Sequence, residues 1–322
     1  MNSPPQISVI IVNWNAGAYL ERCLSALRKQ TLPPARTILV DNNSTDGSLE
    51  RVEAAFDNVE IIRLEKNAGF AMANNIAVRS AAAGSEWIAL LNPDAFPEPE
   101  WLERLMKAAE ASPEYSFFGS RTLMANATDL LDGTGDIYHV SGLALRRGYG
   151  APAGNRYVVA EEVFSPCAAA ALYRRDAFLE VNGFDEDYFC YFEDVDLSFR
   201  LRLAGHRCLY VPDAIVYHAG FATTERQSDF AVYHGQRNLV WTFFKDMPLP
   251  LLLLYLPQHL ILNAAIIVWF SLRGQTKVIL KAMWDGLAGI PHMWGKRRIV
   301  QASRKIRILE LRKLMSKGLP KR

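Results

Sequence analysis

The first ninety residues alternate apolar runs with helical stretches, and this alternation restricts the fold more than any other feature of the chain. Strands are predicted at residues 7–12, 37–40, 59–64 and 87–91, and helices at residues 18–30, 48–55 and 70–82. Strands that alternate with helices pair in parallel through right-handed crossovers. The sequence therefore predicts an α/β domain with a doubly wound, mostly parallel sheet.

The alternation loosens after Pro97. The later predicted elements are helices at residues 100–111 and 195–204, a strand at residues 208–211, and irregular loops with short strands over residues 129–155. We expect residues 1–245 to form the main domain. Residues 246–322 are predicted to form a hydrophobic and basic helical extension.

Composition excludes several classes of protein. Half of the 322 residues are hydrophobic, which is enough for a sizeable core, and the formal net charge of +2 is typical of neither a nucleic-acid binder nor an acidic disordered chain. The four cysteines form no CxxC pair, which favours reduced thiols in the cytosol. Residues 1–6 lack the features of a secretory signal, so we expect a cytoplasmic N-terminus.

Polar residues follow each predicted strand of the first half. Asn13, Asp41 and Asn67 come after the first three strands, and Asp94 comes after the fourth. Ligands of such sheets bind beyond the carboxyl ends of the strands, where amides and carboxylates can bind a nucleoside and Asp94 can ligate a divalent cation. Gly69 stands ahead of a helix whose free backbone N–H groups favour a phosphate. Taken alone, the segment from Asp41 to residue 47 is better interpreted as an Asx-type turn with an N-cap.

A second set of candidate residues lies at positions 193–218. Glu193 and Asp194 follow aromatic residues that can desolvate a carboxylate and make it a useful base, although acids in the first turn of a helix also simply complement its dipole. His218 follows the apolar pair Ile215 and Val216. It is either a structural residue or a ligand for a metal or phosphate.

Taken in order, these segments resemble the family 2 inverting glycosyltransferases, in particular their bacterial rhamnosyltransferase-like branch. The matching segments are SVIIVNWN at 8–15, VDNNSTDGS at 40–48, NAGFAMANN at 67–75, LNPDA at 91–95, GFDE at 183–186, EDVDL at 193–197 and VPDA at 211–214 through His218. They cover roughly the first 225 residues. Their joint order is far more specific than any one segment.

The resemblance implies a GT-A type fold that binds a nucleotide diphosphate sugar, with Asn13, Asp41 and Asn67 near the nucleoside. It also implies that Asp94 binds Mg²⁺ or Mn²⁺. Asn92 stands where many relatives have the first acid of an Asp-x-Asp triplet. Only one carboxylate is left at that site, and His218 becomes the candidate for a second ligand.

The resemblance also implies the roles of the remaining site residues. Asp194 is the expected general base for the acceptor hydroxyl, and Glu193 is the alternative. Ala168 and Ala169 match a segment near the acceptor, where relatives often have Gly in place of Ala168. One in-line displacement would then invert the anomeric carbon without a covalent enzyme intermediate.

Residues 247–272 carry no formal charge if His259 is neutral, and they are long enough to span a membrane. The polar or helix-breaking residues that interrupt them are Pro250, Pro257, Gln258, His259 and Asn263. A span would also place the basic tail outside, against the positive-inside tendency. We therefore interpret the stretch as re-entrant or interfacial, followed from about Thr276 by basic helices on anionic headgroups. The alternative is a core or dimerisation helix with a solvated cationic face.

The expected function is transfer of a sugar, with rhamnose as the first candidate, to a glycan or lipid-linked acceptor in cell-surface polysaccharide synthesis. The expected location is the cytoplasmic face of the inner or plasma membrane. Alternatives are an inactive glycan-assembly scaffold, nucleic-acid binding through the basic tail, and a sugar-nucleotide pyrophosphorylase. The last would need a Gly-rich phosphate loop bearing Arg and Lys, which residues 13–17 do not provide. The oligomeric state stays open.

Overall fold

The structure is a computed structural model that describes residues 6–80, 82–220 and 228–318. Its strands are β1 (Ile7–Asn13), β2 (Arg36–Asp41), β3 (Val59–Arg63), β4 (Trp87–Leu91), β5 (Ala95–Pro97), β6 (Phe117–Met124), β7 (Ala127–Gly133), β8 (Asp136–Tyr138), β9 (Ala144–Arg146), β10 (Glu161–Glu162), β11 (Ala170–Arg174) and β12 (Cys208–His218). Its helices are α1 (Ala18–Leu27), α2 (Ser48–Ala55), α3 (Gly69–Ser80), α4 (Trp101–Ala111), α5 (Arg175–Glu180), α6 (Glu193–Leu203), α7 (Asp229–Asp246), α8 (Leu249–Leu272), α9 (Thr276–Ala288), α10 (Ile290–Ala302) and α11 (Ile308–Leu314), with a 3₁₀ turn at Glu186–Tyr188.

The central sheet has the strand order β10-β12-β6-β11-β4-β1-β2-β3, and β5 and β7 pair with its β12 and β6 strands. The neighbours β4, β1, β2 and β3 run parallel, as do β12 and β6. Strand β11 runs antiparallel to both of its neighbours, β4 and β6. The predicted doubly wound, mostly parallel sheet is therefore confirmed.

Both faces of the sheet are covered, because the side chains of each strand alternate between two apolar clusters. In β1, Ile7, Val9 and Ile11 belong to the cluster shared with α1 and α4. Ile10 and Val12 point to the opposite cluster, shared with α3 and α5. Burial on both faces explains why β1 is apolar almost throughout, as is usual for parallel strands.

The strand predicted at residues 208–211 is too short. Strand β12 continues to His218, and its register on β6 shifts between Val211 and Ile215. This irregularity absorbs Pro212, which lacks the N–H that a regular ladder needs. The extension matters because it carries His218 to the start of β5, beside the loop after β4.

The prolines within residues 247–272 do not break the helix. Helix α8 is continuous for 24 residues, with Pro250 in its first turn and Pro257 inside it. A first-turn proline lacks only an N–H that would have no partner there. Among the described helices, α8 is the one with the length and hydropathy needed to cross a membrane. Core helices of soluble proteins can also meet this criterion.

Charged side chains lie buried where α6, α7 and α10 meet. Lys245 of α7 contacts Asp196 of α6 and lies 2.6 Å from Asp185. Lys296 of α10 also contacts Asp185, while Arg200 pairs with Asp196 at 2.6 Å. The predicted boundary after residue 245 falls within the last turn of α7, so the two-part division stays a prediction.

Candidate active site

A cleft of about 590 Å³ opens beyond the carboxyl ends of the parallel strands. The loop before α6, strand β9 and the start of α7 complete its lining. The predicted site residues that line it are Asn67, Gly69, Asp94, Ala168, Ala169, Glu193, Asp194 and His218. Asp94 and Asp194, which are far apart in the sequence, are therefore brought to one cleft.

Asn13 and Asp41 are not among the lining residues. Both are buried, and the Asn13 amide donates to Asp41 Oδ1 at 2.9 Å and to the hydroxyls of Ser44 and Ser48 at 3.0 and 2.9 Å. Asp41 Oδ2 accepts from the Ser44 N–H. The two residues therefore brace the turn after β2, which agrees with the turn interpretation of that segment, and their contact with a nucleoside stays a prediction.

Asn67 does line the cleft, held by Asn42, a residue that the sequence analysis did not single out. Asn42 Nδ2 donates to Asn67 Oδ1 at 2.8 Å, and its Oδ1 accepts from Ala68 N. The Gly69 N–H donates to Asn67 Oδ1 at 2.9 Å, and the expected phosphate contact at the start of α3 stays a prediction. Gly69 is nevertheless required, because its φ is +84° and a Cβ would lie 2.6 Å from Phe189.

Asp94 is the first member of a chain of polar contacts at the end of β4. Its Oδ1 lies 3.3 Å from His218 Nε2, and the other ring nitrogen, Nδ1, donates to Asp132 Oδ2 at 2.9 Å. Asp132 also pairs with Arg146 at 2.8 Å. Burial lowers the pKa of His218, but the hydrogen bonds to Asp132 and Asp94 outweigh burial and raise it to about 9.

Asp194 and Glu193 differ in their surroundings, although they are neighbours in the first turn of α6. Asp194 is half-buried, and its carboxylate accepts from the backbone N–H groups of Ala168 at 3.3 Å and Val195 at 2.8 Å. Glu193 is buried, and its Oε2 has no hydrogen-bond partner among the described residues. Burial raises both pKa values, that of Glu193 well above its usual range, so Asp194 is the better placed of the two to stay ionised.

Ala168 and Ala169 connect the two acids through the backbone. The N–H of Ala168 donates to Asp194, and the carbonyl of Ala169 accepts from the N–H of Asn92, two residues before Asp94. Both small side chains line the cleft. The arrangement brings a candidate cation ligand and a candidate base to the same cavity.

The family model for glycosyl transferase family 2 matches residues 8–181, which is more than half of the chain. The chain belongs to glycosyltransferase family 2. It is 32% identical over 257 residues to the N-acetylglucosaminyl-diphospho-decaprenol L-rhamnosyltransferase of Mycobacterium tuberculosis, an alignment that covers 71% of this chain and 81% of the relative. The chain is thus a glycosyltransferase and a homologue of a rhamnosyltransferase.

Solved structures confirm the predicted GT-A type fold of this glycosyltransferase. One is GalNAc-T7 with UDP, GalNAc and Mn²⁺, at a TM-score of 0.60 and 17% identity, covering 76% of this chain and 48% of that one. Another is a mannosyltransferase from Pyrobaculum calidifontis with GDP-Man and Mn²⁺, at a TM-score of 0.55 and 17% identity, covering 94% and 86%. At such identities the likeness concerns the fold alone.

The cleft offers few candidate ligands for a cation. The described residues contain no group of three or more His, Cys, Asp or Glu side chains arranged for a metal. Asp94 and His218 are the candidate ligands: Nδ1 of His218 donates to Asp132, which turns Nε2 toward Asp94, and a cation would have to displace the proton that Nε2 shares with Asp94. Mg²⁺ and similar cations commonly take a few protein ligands and complete their shell with phosphate oxygens and water.

The loop that leads into α6 and its candidate base has an unusual backbone. Phe189, Tyr191 and Phe192 all have positive φ, between 63° and 69°, which is costly for bulky residues. The buried amide of Asn238 in α7 lies 2.7–3.0 Å from the carbonyl oxygens of residues 188, 190 and 191. We therefore regard Asn238 as a clamp on this loop.

Several lining or supporting residues escaped the sequence analysis. They are Asn42, Asp132, Asp136, Arg146 and Asn238. Asp136 lines the cleft from β8, and burial together with the charge of Asp194 raises its pKa well above the usual range. Only Asn42 had a local signal, because it directly follows a strand end. The others reach the site through contacts that are distant along the chain.

Proposed function

We propose that this glycosyltransferase moves a sugar, with rhamnose as the first candidate, from a nucleotide diphosphate to an acceptor hydroxyl, with inversion of the anomeric carbon. The observation that carries the proposal is the single cleft lined by Asp94 and Asp194. One of these carboxylates is paired with His218, and the other accepts backbone hydrogen bonds at a helix start. Two acids in such different surroundings suit two different roles.

In the proposed reaction, Asp194 accepts the proton of the acceptor hydroxyl while that oxygen forms a bond to the anomeric carbon. The bond from this carbon to the diphosphate oxygen breaks on the opposite face, which inverts the configuration. The raised pKa of Asp194 makes it a stronger base than an exposed aspartate. Glu193, more deeply buried, is the alternative base.

Asp94 and His218 would hold Mg²⁺ or Mn²⁺, which neutralises negative charge on the leaving diphosphate. Asn67 and Gly69 would contact the donor near its phosphates or ribose, with Asn42 fixing the orientation of Asn67. Asn13 and Asp41 would support this side by holding the turn after β2. Ala168 and Ala169 would leave room for the acceptor.

We further propose that the acceptor is a lipid-linked sugar or glycan, as in the name of the mycobacterial relative, and that the enzyme lies on the cytoplasmic face of the membrane. The exposed apolar residues of α8 and α9 are Leu249, Leu253, Leu254, Leu260, Ile261, Val268, Trp269, Leu272, Leu280, Trp284 and Leu287. The exposed cation Arg273 directly follows α8, and Lys277 and Lys281 lie on α9, a combination suited to anionic lipid surfaces.

Contacts along α8 favour an interfacial position over a crossing one. His259 bonds to the carbonyl of Ser141 at 2.8 Å and stacks on Phe243. Near the helix end, Phe270 packs in a cluster with Val232 and Ile279. Since one side of α8 lies against the protein from its middle to its end, its exposed apolar side is the part available to lipid.

The test is transfer with a panel of nucleotide diphosphate sugars, including deoxythymidine diphosphate rhamnose, with and without Mg²⁺ or Mn²⁺. The acceptor would be N-acetylglucosaminyl diphosphate on an isoprenoid chain, and the anomeric configuration of the product would be read by NMR. An inverted, cation-dependent product supports the proposal. Absence of both transfer and donor hydrolysis across the panel would favour the inactive scaffold.

A further inference from the structure

The cleft has a polar end and an apolar end. Asn42, Asn67 and Asn92 line the part beneath the strand ends. The part formed by the start of α7 and the end of α8 is lined by Phe230, Ala231, Val232, Gly235, Gln236 and Phe270. None of these described lining residues carries a charge, and Gln236 is the polar one among them, so the remainder of this end suits an apolar group.

The apolar end of the cleft meets the exposed apolar side of α8 at Phe270. The Phe270 ring is buried against Val232. Its neighbours Val268, Trp269 and Leu272 are more than half exposed. Because Phe270 lines the cleft and also packs against Val232, the apolar end of the cleft lies beside the helix that carries these exposed apolar residues.

We propose that the hydrocarbon chain of a membrane-borne lipid diphosphate acceptor enters the cleft at Phe270, between α7 and α8, and contacts Phe230 and Val232. This inference rests on the proposed function. The acceptor must bring a sugar hydroxyl to Asp194 while its chain stays out of water. Each buried methylene favours such a path by about 0.8 kcal/mol.

Gln236 marks the change from the apolar to the polar part of this path. It lines the cleft one turn of α7 after Val232, and its Oε1 is buried with no hydrogen-bond partner in the described part of the chain. A buried amide oxygen without a partner is costly and is usually satisfied by a ligand or water. A hydroxyl group on the sugar of the acceptor would supply the missing donor.

The experiment compares two acceptors that differ only in chain length. N-Acetylglucosaminyl diphosphate bearing two or four isoprene units is used in water without membranes, below the concentration at which either forms micelles. The readout is the ratio of kcat/KM for the long acceptor to that for the short one. A defect in folding or chemistry lowers kcat/KM for the long and the short acceptor by the same factor and leaves this ratio unchanged.

The variants are Phe230→Ser, in the exposed first turn of α7, and Phe270→Ser, with Ile299→Ser as the control, an exposed apolar residue of α10 that does not line the cleft. We expect the ratio to exceed one for the unmodified enzyme, and to fall about 5- to 10-fold in the two cleft variants because apolar contact with the chain is lost. The control should keep the original ratio. An unchanged ratio in both cleft variants, or an equal fall in the control, overturns the inference.

A binding measurement separates failure of this inference from failure of the proposed function. Farnesyl diphosphate, which has a three-isoprene chain and no sugar, is titrated into the unmodified protein and the three variants by calorimetry. Binding that weakens about 5- to 10-fold in both cleft variants but not in the control supports the path even if no sugar transfer is found. Equal binding to all four proteins, or none to the unmodified protein, contradicts it.

Discussion

The two sides of the cleft are built by different means. The side beneath the sheet is made by short loops after strands, held by amide side chains such as Asn13 and Asn42 that bond to neighbouring loops. The side made by α6 and α7 is held by Asn238 and by buried ion pairs around Lys245. Neutral amides therefore support the proposed donor side, while the proposed acceptor side depends on charges and on one long helix.

The comparison indicates why the two sides should respond differently to mutation. On the sheet side, Asp94 is carried by β4, a strand that is buried throughout. On the helical side, Asp194 follows a loop with strained φ values that must be held by α7. Mutations in α7 should therefore displace Asp194 more than they displace Asp94.

The largest expected effect is that of Asp194→Asn on chemistry. This change removes the proposed base while keeping the shape of the side chain, so kcat for transfer should fall roughly 10³-fold. The matched variant is Glu193→Gln, in which kcat should fall much less because Asp194 remains. Steady-state transfer kinetics provide the measurement, and unchanged turnover in Asp194→Asn would remove the assignment.

The next prediction concerns the buried charges that hold α7. Lys245→Met leaves Asp185 and Asp196 without their shared cation and should lower the free energy of unfolding by about 3 kcal/mol. The control is Lys281→Met, which breaks an exposed ion pair with Asp285 and should cost less than about 1 kcal/mol. Denaturant titration measures both, and equal losses would contradict the structural role of Lys245.

Asn238→Leu tests whether α7 positions the base. Loss of the donors to the carbonyls of residues 188, 190 and 191 should lower kcat about tenfold with donor KM unchanged, since the sheet side is intact. The matched control is Asn263→Leu, which removes a similar bond to the carbonyl of His259 in α8. A rise in donor KM with normal kcat would show that Asn238 serves some other part of the cleft.

The smallest expected effect is a pH dependence of stability. Burial raises the pKa of Asp185, but the charges of Lys245 and Lys296 outweigh burial and hold it well below its usual range. Ionised Asp185 therefore stabilises the fold at pH values above its ordinary pKa near 4. This contribution is lost as the pH falls below that value toward the lower pKa of Asp185 in the folded protein. We expect about 1 kcal/mol to be lost from this group between pH 5 and pH 3.

Urea titrations of the unmodified protein and Asp185→Asn at both pH values measure this effect. The variant should be less stable at pH 5 but should lose less stability on acidification. The nearby groups Asp187, His292 and Asp196 are present in both proteins, so their titration is common to the comparison. An identical pH slope in the two proteins would rule out Asp185 as the source.

The sheet side was largely predictable from the sequence, because strands, turns and their polar ends follow local patterns. Asn67 and Asp94 were placed in the cleft by this reasoning alone. The same pattern also selected Asn13 and Asp41, which do not line the cleft, and their contact with a nucleoside stays a prediction. Their side chains lie inward and satisfy the turn after β2, a need that amides and carboxylates at strand ends also meet.

The helical side was much less predictable. Asp132 reaches His218 across 86 positions of sequence, through the pairing of β7 with β6 and of β6 with β12. Asn238 sits in the middle of a helix, where its residue type carries no signal for the loop that it holds. The continuous path of α8 through Pro257 likewise contradicts the local rule that proline ends a helix.

The most direct test of the central claim is calorimetric titration of the nucleotide diphosphate sugar into the unmodified protein, Asp94→Ala and Asp194→Asn, each with and without Mn²⁺. If Asp94 binds the cation of the donor and Asp194 acts on the acceptor in the same cleft, Asp94→Ala should lose the cation-dependent part of donor affinity. Asp194→Asn should keep that affinity although it no longer transfers sugar. Undiminished cation-dependent affinity in Asp94→Ala, or its loss in Asp194→Asn alone, would contradict the claim.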